Sequence, residues 1–66
     1  MIFSERLKQL ITEAGISQET LAQAIGYTQR AVSKWINGQA EPSATAITLC
    51  AKYFDVTTDY LLGLED

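Results

Sequence analysis

The chain has 66 residues, of which 47% are hydrophobic and 20% are charged, and its net charge at neutral pH is −3. A chain of this length forms one small domain, so we expect residues 1–66 to share a single core. One cysteine and no histidine exclude an internal disulfide and argue against a metal site. No apolar run approaches the ~18 residues of a membrane span. The N-terminus lacks the layout of a signal peptide, so the sequence predicts a cytoplasmic protein that does not bind a membrane.

The apolar residues near the N-terminus recur at the spacing of one helical face. They are Phe3, Leu7, Leu10, Ile11 and Ala14. Gly15 follows them, and glycine there ends a helix at little conformational cost. The sequence therefore predicts a first helix with one buried side and one solvated side.

Residues 17–38 predict two short helices joined by a tight turn. Ser17 and Thr28 are good N-caps, because a hydroxyl accepts a hydrogen bond from an unpaired backbone N–H of the first turn. Gly26 ends the first of these helices, and only Tyr27 separates it from Thr28. Helices with so short a connection cross steeply, which is the helix-turn-helix arrangement.

Two further helices are predicted in the C-terminal third. Pro42 precedes a helix that Ser43 would cap, and its inward stripe would be Ile47, Cys50, Ala51 and Phe54. Cys50 is therefore interpreted as a small buried hydrophobic residue. Thr57 would cap a last short helix that ends at Gly63. We expect residues 64–66 to form a frayed tail, or the start of a linker if the chain is part of a longer protein.

These residues resemble the helix-turn-helix of the Cro/lambda-repressor-like (Xre-type) family of prokaryotic DNA-binding proteins. The similarity runs from Arg6 to Gly63, and its matching residues include Ser17-Gln18-Glu19-Thr20-Leu21-Ala22, Ile25-Gly26, Val32-Ser33-Lys34-Trp35, Asn37-Gly38, Pro42-Ser43 and Asp59-Tyr60-Leu61-Leu62-Gly63. The resemblance implies an all-α fold of five short helices with the helix-turn-helix at helices 2 and 3. It also implies a transcriptional regulator, most often a repressor that blocks polymerase by occupying a palindromic operator as a dimer.

Three positions depart from the family pattern. Asp55 stands where the family usually has glycine, and aspartate tolerates the left-handed conformation better than most residues. Ile36 stands where a glutamate is frequent, and we expect it to pack against the fourth helix, with an exposed partner contact as the alternative. The loop after Gly38 lacks the usual basic residues, and Glu41 would repel a phosphate nearby, so we expect this loop to grip DNA weakly.

The outward arc of the third helix is predicted to read base edges in the major groove of double-stranded DNA. Val32 and Trp35 would face the core, which leaves outward Gln29, Arg30, Ser33 and Lys34. The carboxamide of Gln29 suits the N6/N7 edge of adenine, and the guanidinium of Arg30 suits O6/N7 of guanine. The alternative interpretation is a merely solvated face.

Phosphate contacts would position the domain without reading sequence. The family resemblance points to Gln18, at the start of the second helix, where unpaired N–H groups also favour an anion. Thr28 and Asn37 are further candidates, although each has an equally good structural role, as a helix cap and as a helix-ending residue.

The acidic balance of the chain is unusual for a DNA-binding domain. Residues 1–40 carry four basic and three acidic side chains, whereas residues 41–66 carry one basic and five acidic side chains. Between residues 20 and 40 there are two basic residues and no acidic ones. We therefore expect weak non-specific affinity and a specificity that depends on a dimer.

The fourth helix carries a second stripe that suggests a homodimer interface. It comprises Ala46, Leu49 and Tyr53, with Tyr60 of the last helix nearby. A symmetric contact there would place two reading helices about one DNA turn, ~34 Å, apart. The alternative is that these residues only cover neighbouring helices.

Catalysis has little support, because the chain has no histidine, no glycine-rich phosphate loop and no acid paired with a base. We therefore predict no enzyme and no cofactor. Two other interpretations use the same fold. One is an antitoxin-like protein with a protein partner on the acidic half and the fourth helix. The other is a protein-interaction module that has lost DNA binding.

Overall fold

The computed structural model describes residues 2–65, and within them every regular element is an α-helix. The five helices are α1 (Ile2–Ala14), α2 (Gln18–Ile25), α3 (Gln29–Ile36), α4 (Ala44–Phe54) and α5 (Thr58–Leu62). The predicted all-α fold with five helices is confirmed.

All five helices contribute to one hydrophobic core. The largest side chains that are completely buried come one from each helix: Leu7, Leu21, Val32, Cys50 and Leu61. Burial of a Val or Leu side chain stabilises a fold by roughly 1.5–3 kcal/mol, so a core shared in this way makes each helix depend on the others. Isolated helices of 5 to 13 residues would be marginal in water.

The predicted N-caps are confirmed at four helices. The side-chain oxygens of Ser17, Thr28, Ser43 and Thr57 each accept a hydrogen bond from the backbone N–H three residues later, at 3.0 to 3.1 Å. The residue before three of these caps, Ile16, Tyr27 or Val56, is half-buried against the core. Each cap satisfies a backbone group that the first turn leaves unpaired, and the apolar residue fixes the angle of entry.

The C-terminal ends of the five helices also share one geometry. After each helix a residue adopts a positive φ, between 56° and 80°, and this residue is Gly15, Gly26, Gly38, Asp55 or Gly63. The N–H of the following residue then donates to the carbonyl five residues before it. This is the Schellman arrangement, which satisfies carbonyl groups that a helix end would leave unpaired. Asp55, with φ of 56°, fills the position usually taken by glycine.

The structure corrects the prediction of a frayed tail. The backbone carbonyl of Glu65 accepts a hydrogen bond from Nη1 of Arg6, and its carboxylate accepts one from the hydroxyl of Thr57. Arg6 also donates to the carbonyl of Tyr60 at 2.6 Å, and its guanidinium lies 4.3 Å from the centre of the Tyr60 ring. Arg6 therefore ties α1 to α5 and to Glu65. Asp66, the last residue of the predicted tail, lies outside the described residues.

Ile36 lies beside a different helix from the one predicted. It is half-buried and lines a surface depression with Ser4, Glu5 and Lys8 of α1. The prediction of a contact with α4 was wrong, because α3 packs mainly against α2 and α1.

Cys50 is completely buried, as predicted, and this burial raises the pKa of its thiol to about 11. A thiol in an unfolded chain ionises near pH 8.5–9. Between pH 9 and 11 the unfolded chain therefore releases a proton that the folded chain retains, and the free energy of unfolding must fall as the pH rises.

We expect this titration to remove on the order of 2 kcal/mol of stability between pH 9 and 11. The measurement is urea denaturation of the wild type and of Cys50→Ala over that range. The relevant quantity is the difference between the two curves, because it isolates the contribution of Cys50. Parallel curves for the two proteins would show that the Cys50 thiol does not contribute.

Candidate nucleic-acid interface

The orientation of α3 is fixed by aromatic packing around Trp35. The Trp35 ring lies edge-to-face with Tyr27 at 5.1 Å and with Phe3 at 6.4 Å between ring centroids. The hydroxyl of Ser4 donates a hydrogen bond to the carbonyl of Trp35. Val32, one turn earlier, is completely buried. The turn and α1 thus hold the inward side of α3, and the opposite side is left to solvent.

The four predicted base-reading residues lie together on that outward side. Gln29, Arg30 and Lys34 are exposed, and Ser33 is half-buried. They line one shallow concavity. The structure therefore places side chains with donor, acceptor and cationic groups on a single exposed helix face, which is the chemistry that base edges require.

Gln39 lines the same concavity and was not among the predicted site residues. From the sequence, Gln39 was expected to lie in a loop that binds DNA weakly. The signal that could have found it is Asn37-Gly38, because a left-handed glycine after a helix turns the next residue back towards the last turn. The N–H of Gln39 does donate to the carbonyl of Lys34, at 2.8 Å.

The predicted phosphate-contacting residues lie at helix ends. Gln18 is the first residue of α2 and is half-buried. The hydroxyl of Thr28 accepts the N–H of Ala31 at 3.1 Å, so it has a definite role as a cap. Asn37 is exposed after α3, and its amide donates to the Ser33 hydroxyl at 3.5 Å. Thr28 and Asn37 are exposed and Gln18 is half-buried, so none of the three lies in the core.

The predicted dimer stripe is only partly at the surface. Ala46 is completely buried in the core, so the expectation that it belongs to a surface patch was wrong. The reason is that α4 lies against both α2 and α5 and therefore buries a wider face than one stripe. Leu49 is half-buried, Tyr60 is half-buried beneath Arg6, and Tyr53 is 40% exposed.

The structure exposes three further large apolar side chains near the two ends of the chain. Ile2, Leu62 and Leu64 are 47%, 44% and 73% exposed. Leu62 also lines a groove with Pro42 and Ile47. Leu64 belongs to the predicted tail, whereas no sequence pattern distinguished Ile2 and Leu62 from core residues, because their exposure depends on how α5 is placed beside α1 and α4.

Two further observations concern metal binding and membranes. Within residues 2–65 no group of three histidine, cysteine, aspartate or glutamate side chains is arranged to hold a metal ion. No helix in that part of the chain is long and apolar enough to cross a bilayer.

Comparison with known proteins agrees with this geometry. A helix-turn-helix family model matches residues 7–61. The chain is 38% identical over 66 residues to the HTH-type transcriptional activator BcrR of Enterococcus faecalis, covering all of this chain and 32% of BcrR. It is 38% identical over 61 residues to the SPbeta prophage-derived uncharacterized HTH-type transcriptional regulator YonR of Bacillus subtilis, covering 92% of this chain and 56% of YonR. The chain thus spans about a third to just over half of these relatives.

Solved structures show the same fold. The DNA-binding domain of the P22 C2 repressor superposes with a TM-score of 0.87 at 26% identity, covering 94% of this chain and 82% of that domain. The restriction-modification controller protein C.AhdI from Aeromonas hydrophila superposes with a TM-score of 0.84 at 35% identity, covering 91% of each chain.

The fold is a helix-turn-helix fold like that of repressor DNA-binding domains. The chain belongs to the Cro/C1-type helix-turn-helix family, a family of transcription regulators and not of enzymes. The predicted family and the prediction that this is not an enzyme are confirmed.

Proposed function

We propose that this chain is the DNA-reading domain of a sequence-specific prokaryotic repressor that binds a palindromic operator as a dimer, in the cytoplasm. The observation that carries this proposal is the grouping of Gln29, Arg30, Ser33 and Lys34 on one exposed face of α3. A surface helix of this kind fits the major groove, and its N-terminal residues reach the base edges. Repression follows if an occupied operator excludes polymerase.

In this proposal different residues of α3 contact different parts of the DNA. Gln29 and Arg30, in the first turn, would lie deepest in the groove and contact adenine and guanine edges. Ser33 and Lys34 lie one turn further and would contact a base edge or the adjoining strand. Gln18, Thr28 and Asn37 would contact phosphates and set the register of the domain on the duplex.

The charge of this part of the chain favours DNA binding. Arg30 and Lys34 are the two basic residues between residues 20 and 40, where no acidic residue occurs. With so few cations per subunit, counterion release supplies little affinity, so tight binding requires two subunits on one operator. We propose that the dimer forms through Leu49, Tyr53 and Tyr60.

The experiment is selection of bound duplexes from a random DNA pool at two salt concentrations. We expect a palindrome whose half-sites lie about one helical turn, ~34 Å, apart. We also expect binding to weaken as the salt concentration rises, because phosphate contacts release counterions. Absence of any enriched sequence at low salt, from protein shown to be folded, would contradict DNA reading and favour a protein partner.

The same experiment tests the dimer when it is repeated with Tyr53→Glu. A carboxylate in a symmetric apolar contact faces its own copy, so this variant should recover single half-sites and sediment as a monomer. Leu62→Glu is the matched control, since Leu62 is similarly exposed on another surface. Loss of the palindrome with Leu62→Glu alone would instead place the dimer contact at the Leu62 surface.

A further inference from the structure

The ends of the five helices allow a comparison within the chain. In each, the residue after the left-handed position donates its N–H to the carbonyl five residues earlier. This hydrogen bond brings two side chains together, and an apolar contact between them commonly accompanies it. In α1, α2 and α4 both members of the pair are apolar and belong to the core or pack against it: Ile16 and Ile11, Tyr27 and Ala22, and Val56 and Ala51.

At the end of α3 the corresponding pair is fully polar. Gln39 lies over Lys34, and both side chains are exposed, whereas Ile11, Ala22 and Ala51 are buried. The pair after α5 is mixed, with one apolar side chain, Leu64, and one acidic side chain, Asp59. The side chains of Gln39 and Lys34 therefore do not stabilise the hydrophobic core, since neither packs against it.

The position of Gln39 is nevertheless fixed by the backbone. The N–H groups of Gln39 and Ala40 both donate to the carbonyl of Lys34, at 2.8 and 3.4 Å. These bonds hold the side chain of Gln39 beside the outward face of α3, where it lines the same concavity as Arg30 and Lys34. An exposed side chain on an ordered backbone is already placed for recognition. Binding then costs only the conformational entropy of that side chain, because the backbone is ordered beforehand.

The position and the chemistry of the side chain together indicate what it recognises. Unlike Gln18, Gln39 lines the concavity of the four proposed base-reading residues. A carboxamide can both donate and accept hydrogen bonds, whereas a phosphate only accepts them. The major-groove edge of adenine presents an acceptor and a donor side by side, which uses both halves of the amide. We propose that Gln39 is a fifth base-reading residue and recognises an adenine at the C-terminal end of α3. This inference rests on the proposed function, in which α3 lies in the major groove.

The test measures binding of five proteins to the selected operator and to duplexes changed at each half-site position in turn. The proteins are the wild type, Gln39→Ala, Gln39→Glu, Arg30→Ala and the control Gln9→Ala. Gln9 is an exposed glutamine on α1 that bonds to Glu13 and does not line the concavity. Circular dichroism of each variant confirms that it is folded.

We expect one position at which the wild type prefers adenine by roughly 5- to 150-fold and Gln39→Ala does not. That position should differ from the one relaxed by Arg30→Ala, and Gln9→Ala should keep every preference. Gln39→Glu should move the preference at the same position towards cytosine, whose amino group donates to a carboxylate.

Two results would overturn the inference while leaving DNA reading intact. Equal weakening of all duplexes by Gln39→Ala would show a phosphate contact, and unchanged binding would show a solvated side chain. A wild type that binds every duplex equally would overturn the proposed function itself, so the two failures are distinguishable.

Discussion

Arg30→Ala is expected to weaken binding to the selected operator by about 1–3 kcal/mol for each half-site, which is roughly 5- to 150-fold. Arg30 is exposed in the first turn of α3 beside Gln29. Residues 20–40 contain no acidic side chain that could pair with its guanidinium in place of a base. A guanidinium bound to both O6 and N7 of guanine loses two hydrogen bonds at once when it is removed. Preference for guanine at one position of each half-site should therefore disappear.

Lys52→Ala is the matched control, because it also removes one exposed positive charge, from α4. Loss of charge alone would affect both variants similarly, whereas loss of base reading would affect only Arg30→Ala. Binding curves on the operator and on variants of each base pair give the answer. Equal, sequence-independent weakening by the two substitutions would contradict the assignment of Arg30 to a base edge.

Trp35→Ala is expected to lower the free energy of unfolding by about 3–5 kcal/mol. Trp35 is 4% exposed and packs edge-to-face against rings from the turn and from α1. Domains have a stability of about 0.05–0.15 kcal/mol per residue, so a chain of this length has little to spare. The variant should be largely unfolded at room temperature and should not bind the operator.

Urea denaturation followed by circular dichroism measures this effect. Trp35→Phe keeps an aromatic ring in the site and should lose clearly less stability than Trp35→Ala. Leu64→Ala removes an apolar side chain that is 73% exposed, and its effect should stay within about 0.5 kcal/mol. A fully folded Trp35→Ala would show that α3 keeps its place without the Trp35 ring, which would contradict this prediction.

Much of the helix-turn-helix could be predicted from local sequence. The caps at Ser17 and Thr28 act within three residues, and the left-handed position at Gly26 acts through the backbone of its own turn. These interactions are complete within a few neighbouring residues, so the sequence shows them directly. Because Val32 and Trp35 are apolar and one turn apart, they also determine which side of α3 faces outward.

The surfaces built by several helices were less predictable. Ala46 was expected in an exposed stripe, but α2 and α5 cover α4 from two sides. Ile36 was expected beside α4 but lies beside α1. The periodicity of one helix shows which residues share a face, and it does not show how many neighbouring helices cover that face.

The sequence by itself therefore determined the five helices, their caps, the family and the four polar residues of the α3 face. Only the tertiary structure decided that Ala46 is buried, that Arg6 ties α1 to Glu65, and that Gln39 lines the same concavity as the outward residues of α3. The physical reason is the sequence separation over which each interaction acts. Caps and helical periodicity are set by residues within a turn or two, whereas the placement of Glu65 beside Arg6 joins residues 59 positions apart. Such contacts exist only once the helices have packed on a common core.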